Sequence, residues 1–219
     1  MGAKYRDRHV GNPNLDSEKH LTMEFGVEEM IIGNHINASI YFTDIDDYIT
    51  TYRVSDGTYD NTVNDARVYK NVDATIWGYE ISLARKLTQN VKTKINVNYT
   101  NGNDDTQNRP LPQIMPLSGN IVLDYESISS NYGVRLNFSD SQDRFDSRVL
   151  DTGKTGGFTT IDLFMGFELA PGMDLNFGIS NITDKRYSSH LSNANVLDAS
   201  ATKVDEPGRS IWGSVIYDF

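Results

Sequence analysis

From residue 21 onward, apolar residues recur at every second position in runs separated by polar stretches. Period-two alternation is the mark of a strand with one apolar and one polar face. The first run sets Leu21, Met23, Phe25 and Val27 against Thr22, Glu24, Gly26 and Glu28, and Gly33-Asn34 reads as a tight turn. The second carries Ile36, Ala38, Ile40 and Phe42 on one face and enters the acidic segment Asp44-Ile45-Asp46-Asp47. Trp77, Tyr79, Ile81 and Leu83 follow a long polar connection over 50–70, and a short turn at Lys86–Asn90 leads to Val91, Thr93, Ile95, Val97 and Tyr99. A second polar connection fills 101–117. Ile121, Leu123 and Tyr125, a turn at Ser129-Ser130-Asn131, and Tyr132, Val134, Leu136 and Phe138 form the next pair. After a polar loop over 139–157 come Ile161, Leu163, Met165, Phe167 and Leu169, the turn Ala170-Pro171-Gly172, and Met173, Leu175, Phe177 and Ile179. Residues 181–209 form a fourth long segment before the last strand. There Ile211, Val215, Tyr217 and Phe219 share a face, with Ser214 and Asp218 on the other. Residues 1–19 read as irregular, with turn formers at Gly11-Asn12-Pro13-Asn14.

Short turns and long polar loops alternate along the chain. In an antiparallel meander this collects the short turns at one end and the long loops at the other. Bacterial outer-membrane barrels have that asymmetry. Their last strand also pairs with the first to close the sheet, which accounts for a chain ending on an aromatic residue in mid-strand. Val215, Tyr217 and Phe219 are the candidate closure and membrane-insertion signal, to be read by the barrel-assembly machinery. The apolar faces run from strand to strand, and no amphipathic helix is available to cover them. The expectation is an all-β fold: an antiparallel transmembrane β-barrel meander of about nine to ten strands, its apolar face against outer-membrane lipid. An odd count of nine would place the two chain ends at opposite ends of the wall, so the chain reads as the C-terminal part of a larger barrel and, alone, as an open curved sheet. A self-contained porin-like barrel would instead need a ladder between its first and last strands. A soluble binding module would need a second layer over Leu21, Phe25, Ile95, Val97, Leu136 and Phe177.

Composition fits this. The formal net charge of −10 argues against a nucleic-acid partner, and the chain has no cysteine to place it by redox compartment. The mean hydropathy of −0.48 is low for a membrane protein, but only alternate barrel residues meet lipid. No run of about 18 apolar residues offers a membrane helix, and Met1–Arg6 lacks the apolar core of a signal peptide.

Motifs spread along the chain resemble the C-terminal half of the barrel of TonB-dependent outer-membrane receptors. Asn12–Lys19 looks like the family's NPxLxPE stretch with Ser17 in place of proline, followed by Glu24-Phe25-Gly26. Tyr41–Ile49 looks like the FYTDIxDYI strand end, and Gly78-Tyr79-Glu80 matches GxE. Pro110–Leu117 resembles PLPxIPPLxG with Met115 at a usual proline. Asn181–Tyr187 looks like NLFDKxY, and Glu206–Arg209 matches xPGR. The resemblance implies a bacterial outer-membrane barrel of about 22 strands with a plugged lumen, in which an N-terminal plug, absent from this sequence, couples transport to the TonB complex. It implies uptake of a metal ion or metal chelate.

Tyr187–Ser192, leading to Glu206–Arg209, is similar to the copper and metal-ion branch of the family. Imidazole suits copper and zinc, and thioether suits Cu(I). His190 is therefore a candidate metal ligand, and His9 and Met115 are candidate substrate-loop residues, although a lone surface His or loop Met is more often no ligand. A ferric-siderophore receptor is the alternative, with Arg144, Arg148 and Tyr187 as compatible loop residues. The loop acids Asp44, Asp46, Asp47, Asp56, Asp60, Asp104, Asp105, Asp140, Asp143 and Asp146 could hold Ca²⁺, but such residues more commonly solvate a loop. No resident cofactor is expected beyond a transported metal ion. No phosphate loop, G-x-S-x-G or H-E-x-x-H occurs, so an enzyme is not expected.

Overall fold

The computed structural model describes residues 8–31, 34–54, 66–146, 153–192 and 203–218. Eleven strands occur in chain order: β1 (Arg8–Val10), β2 (Lys19–Ile31), β3 (Asn34–Val54), β4 (Ala66–Lys86), β5 (Val91–Asp104), β6 (Arg109–Pro110), β7 (Ser118–Glu126), β8 (Ser130–Ser139), β9 (Phe158–Ala170), β10 (Met173–Ser180) and β11 (Ser210–Tyr217). Nine of them form one meander in the order β11-β10-β9-β8-β7-β5-β4-β3-β2, every neighbouring pair antiparallel. β2 and β11 lie at opposite ends of this sheet, and no ladder joins them among the described residues. The sheet is open, which removes the ladder that a self-contained barrel needs.

Register carries the apolar positions across the wall. One row runs Ile36, Leu83, Ile95, Ile121, Leu136, Ile161. A lower row runs Val91, Tyr125, Tyr132, Met165, Phe177. This face is bare: Phe25 is 69% exposed and Leu21 64%, with no second layer over them among the described residues. Aromatic groups flank the band on both sides. Trp77 meets Tyr99 edge-on at 5.3 Å toward the long-loop end, and Tyr132 meets Phe167 edge-on at 5.8 Å toward the short-turn end. Outer-membrane barrels carry such aromatic girdles at the two lipid interfaces.

The opposite face is polar and hydrogen-bonded across strands. Ser82 Oγ donates to Asn96 Oδ1 at 2.8 Å, and Asn96 Nδ2 donates to Asn120 Oδ1 at 3.1 Å. Glycines here make room for rings from the next strand. Tyr41 lies across Gly78, where an added Cβ would sit 2.5 Å from the phenol oxygen and 2.3 Å from the Tyr99 carbonyl. β11 departs from the simple alternation on this face, because Trp212 and Ile216 lie there with Ser214; the Trp212 ring covers Gly178.

The structure lengthens several strands beyond the sequence pattern. β3 and β4 extend into the expected polar connection from its two ends, and β5 reaches Asp104. β8 begins at Ser130, so Ser130 and Asn131 of the expected turn already belong to the strand. β1, in the segment expected to be irregular, pairs in parallel with β4 through His9↔Arg67. The reason is burial above the membrane band. Ile45, Ala74 and Leu111 form a small core with Tyr48, Ile76 and Ile114, and Tyr52 packs with Val72 beside it. A polar sequence pairs as strand here because loop residues cover it.

A β-bulge at β3 positions that core. Ile45 pairs with Ala74 but Tyr48 pairs with Val72, so Asp46 and Asp47 together face Asp73. Asp47 takes φ 62°, a conformation that Asp tolerates better than most residues. The extra residue re-aims the strand, a common use of bulges. It turns Tyr48, Thr50 and Tyr52 to the polar face and leaves Ile49 outside. Residues at the entry to β2 and in β4 brace it. Glu18 accepts the Ile49 amide at 2.7 Å, Lys19 Nζ reaches Asp47 at 3.2 Å, and Asn71 Nδ2 donates to the Asp47 carbonyl at 2.6 Å. The Ile49 amide, then His20, holds the Glu18 carboxyl below its ordinary pKa.

Three substitutions test this wall. Ile121→Lys, on the apolar band, is expected to lower the urea stability of the membrane-inserted protein by about 2–4 kcal/mol, whereas Asn120→Lys on the polar face has a far smaller effect. Gly78→Ala is expected to lower it by about 1–3 kcal/mol, because the new methyl group collides with backbone that cannot move aside.

Candidate functional site

The long-loop end is built around an ion cluster. Arg109, from β6, is 8% exposed and lies between two buried carboxylates. Its Nε donates to Asp104 Oδ2 at 3.1 Å, and one terminal nitrogen reaches Asp146 Oδ2 at 3.1 Å. The guanidinium lies 4.0 Å from the centre of the Tyr52 ring, and the Tyr52 hydroxyl donates to the same Asp104 oxygen. Asp104 also accepts the Gln107 amide at 2.9 Å. Burial, then the Asp104 hydrogen bond, pushes the Tyr52 hydroxyl above its ordinary pKa. Four segments of chain meet at this one cation: β3 at Tyr52, β5 at Asp104, β6 itself, and the loop after β8 at Asp146.

Arg144, two residues from Asp146, reaches Asn103 Oδ1 at 2.5 Å. It lines a cavity of about 230 Å³ together with Tyr99, Leu111, Ile114, Asp140 and Gln142. Gln142 Nε2 donates to the Ile114 carbonyl at 2.8 Å, beside Met115. The same Gln142 pairs through its backbone with Thr155. Thr155 Oγ1 lies 2.9 Å from His190 Nδ1 and also receives Lys203. His190 is buried.

The loop holding His190 starts from a tight turn. Asn181 takes φ 49° and Asp184 φ 53°. Asn181 Oδ1 accepts the Lys185 amide at 2.9 Å and its Nδ2 donates to the Lys185 carbonyl at 2.8 Å, while its own amide donates to Asp162 at 2.8 Å. Asp184 then accepts the Arg209 amide at 2.8 Å, closing the loop onto the entry to β11. Tyr187 stacks on Phe158 with ring centres 4.1 Å apart. Arg186 and Ser188 both bind Asp205 and hold its carboxyl below the ordinary range.

Arg144, Met115, Tyr187 and His190 therefore stand on loops joined through Gln142 and Thr155. His9 does not join them: it lies on β1 beside β4, in register with Arg67. Arg148, Asp56, Asp60 and Phe219 lie outside the described residues, while Val215 and Tyr217 are exposed on the free edge strand. Among the described residues no group of three or more His, Asp or Glu is arranged to hold a metal ion. Several loop carboxylates have protein partners instead, Asp143 with Lys154 at 2.9 Å among them. Sequence reading placed Asp104 and Asp146 among solvating acids and passed over Arg109 and Tyr52. The signal available was Arg109 directly before the Pro110–Leu117 motif.

An open meander with a lipid-type apolar face, a polar inner face, and short turns at one end defines a section of an outer-membrane barrel wall. The family model described as "TonB dependent receptor-like, beta-barrel" matches residues 2–182. The chain belongs to the TonB-dependent receptor family, whose barrels lie in the outer membrane of Gram-negative bacteria. Among solved structures it is similar to the copper transporter OprC, with 28% identity and a TM-score of 0.87 over 97% of this chain and 34% of that one. It also matches the ferric enterobactin receptor PfeA of Pseudomonas aeruginosa, with 20% identity and a TM-score of 0.72 over 95% of this chain and 32% of that one. A curated relative, the ferric enterobactin receptor PirA of Pseudomonas aeruginosa, is 24% identical over 96% of this chain and 29% of its own length. The chain thus spans about a third of the length of such relatives, which are receptors and transporters, not enzymes.

Arg109→Met leaves two buried carboxylates without their cation. It is expected to destabilise the long-loop end by about 3–5 kcal/mol, read as faster proteolysis within 139–157 while the strands stay protected. Tyr52→Phe keeps the ring under the guanidinium and is expected to cost only about 1 kcal/mol. With its folded pKa raised, Tyr52 contributes stability that is fully present below its unfolded value of about 10 and is lost as pH rises beyond it. A late-titrating tyrosine signal in ultraviolet difference spectra is expected, and Tyr52→Phe removes it.

Proposed function

We propose that this chain forms the C-terminal part of the barrel of a larger receptor, and that the complete receptor takes up a metal ion, copper first, or a metal chelate. In this reading a plug domain fills the lumen and couples uptake to the TonB complex. The apolar band faces lipid, and the last strand, through Val215 and Tyr217, is the part the barrel-assembly machinery engages. The observation that carries the copper reading is the fit to OprC, at a TM-score of 0.87 against 0.72 for PfeA. His190 and Met115 are soft enough donors for copper on linked loops, though His190 already shares one ring nitrogen with Thr155. They would serve a copper site only together with ligands from elsewhere in the receptor. The relationship to PirA favours a second reading, uptake of a ferric siderophore, in which Arg144 and Tyr187 would meet an anionic aromatic chelate.

The test is uptake by cells lacking the receptor and complemented with its full-length gene. Restored accumulation of radioactive copper, abolished by a protonophore, is the expected result. Restored accumulation of iron from ferric enterobactin without copper would replace the first reading with the second. Restoration of neither would overturn both.

A further inference from the structure

The apolar face of the wall carries a charge that the proposed uptake does not use. Between the short turns and the level of Trp77, its strands hold one cation among the described residues, Arg85, next to the end of β4. Arg85 follows Leu83 by two positions and pairs with Thr93 of β5, and both neighbours belong to the apolar face. The side chains of Lys86, Lys92 and Lys94 belong to the other face. Arg85 is exposed and has neither a hydrogen bond nor an ion pair among the described residues. Glu29 of β2 shares its face, but β3 lies between them and no ion pair joins them.

A hollow lies farther along the same row. From Arg85 the register runs through Thr93 to Leu123, Val134 and Leu163. Those last three, with Val91, Tyr125 and Tyr132 of the row below, line a cavity of about 360 Å³. Met165 adds to this lining, and of the nine residues around the hollow only Gly133 and Phe164 belong to the polar face. Tyr125 and Tyr132 stand side by side with ring centres 6.4 Å apart. Thr93, between Arg85 and the hollow, donates its hydroxyl to the Val122 carbonyl at 3.0 Å, so its polar group is already satisfied.

Strand tilt sets the cation and the hollow at different depths. Arg85 is one residue from the short-turn end of β4 at Lys86, Leu123 three from the end of β7 at Glu126, and Leu163 seven from the end of β9 at Ala170. The row therefore climbs from the short-turn rim into the apolar band. Short turns of such barrels face the periplasm, and the leaflet on that side is phospholipid. A guanidinium at the rim with an apolar hollow deeper in the band matches the order of groups in a phospholipid, phosphate at the surface and acyl chain within. A cation without a protein counter-charge favours a lipid of net negative charge.

We propose that Arg85 binds the phosphate of one anionic phospholipid of the periplasmic leaflet, and that an acyl chain of this lipid lies in the hollow between Leu123, Tyr125, Tyr132 and Val134. The inference rests on the apolar face meeting lipid and is independent of the transported substrate.

The test is native mass spectrometry of the full-length receptor, purified in detergent and titrated with phosphatidylglycerol or with phosphatidylcholine of the same acyl chains. Heat-modifiable migration in gels reports that the receptor and each variant are folded. The expected result is one phosphatidylglycerol held about fivefold more tightly than phosphatidylcholine. Arg85→Gln is expected to erase that preference, and Arg85→Lys to keep most of it. Val134→Trp, which fills the hollow, is expected to weaken both lipids about tenfold, and Val134→Phe serves if the larger ring prevents folding. Equal affinity of the folded wild type for the two lipids, or an unchanged preference in Arg85→Gln, overturns the phosphate contact. Unchanged binding in the folded hollow variants overturns the acyl-chain site. Complete displacement of the lipid by inorganic phosphate makes this a site for a free anion and overturns the lipid. A wild-type receptor that never migrates as a folded barrel overturns the membrane wall itself, and this site with it.

Discussion

Backbone hydrogen bonding inside hydrocarbon is the constraint on which this molecule depends. Lipid offers no partner to an N–H or C=O group, and each one left unpaired costs several kcal/mol. A strand can cross a membrane only if strands on both sides satisfy it. The nine-strand meander meets that condition for its seven inner strands and leaves the outer edges of β2 and β11 open. The apolar band and the polar inner face follow from the same arrangement, because a paired strand has only its side chains with which to match lipid on one face and the lumen on the other.

Above the band, water is again available, and a different interaction takes over. The strands project into the long-loop end and are covered there by loops gathered at Arg109. One buried guanidinium with two carboxylates and an aromatic ring is costly to desolvate and does not add much net stability. Its use is geometric. It fixes how β6, the tip of β5 and the loop after β8 stand over β3, and so where Arg144 and the small cavity beside it are found. The chain of contacts through Gln142 and Thr155 carries that placement on to His190.

Much of the wall was legible in the sequence, because alternation of apolar residues is the direct imprint of lipid on a strand. The sorting of short turns from long loops was legible for the same reason. The extensions of β3, β4 and β5 were not, since their cover comes from residues far away in sequence and their own composition is polar. Motifs were visible as separate marks; their meaning lay in pairing. Glu18 and Lys19 hold the stretch containing Asp47 and Ile49, and Asp184 holds Arg209. Each motif looks weak alone because half of its purpose is in another segment. The Arg109 cluster was missed because single charges give no periodic signal; the faces read for Ile211, Val215, Tyr217 and Ser214 hold in β11, while Trp212 had no assigned face because it fits the polar side only over a glycine.

The bulge at Asp46 and Asp47 makes this point of the chain behave like a reading frame. Below it, even-numbered residues of β3 lie on the apolar face; above it, Tyr48, Thr50 and Tyr52 lie on the polar face. The connections farther along can gain or lose residues with little consequence for the wall. Here a change of one residue would invert every side chain from Tyr48 to Tyr52, carrying Tyr52 away from Arg109 and bringing Ile49 and Thr51 in to replace Tyr48, Thr50 and Tyr52. Length at this position is therefore as strictly specified as residue identity.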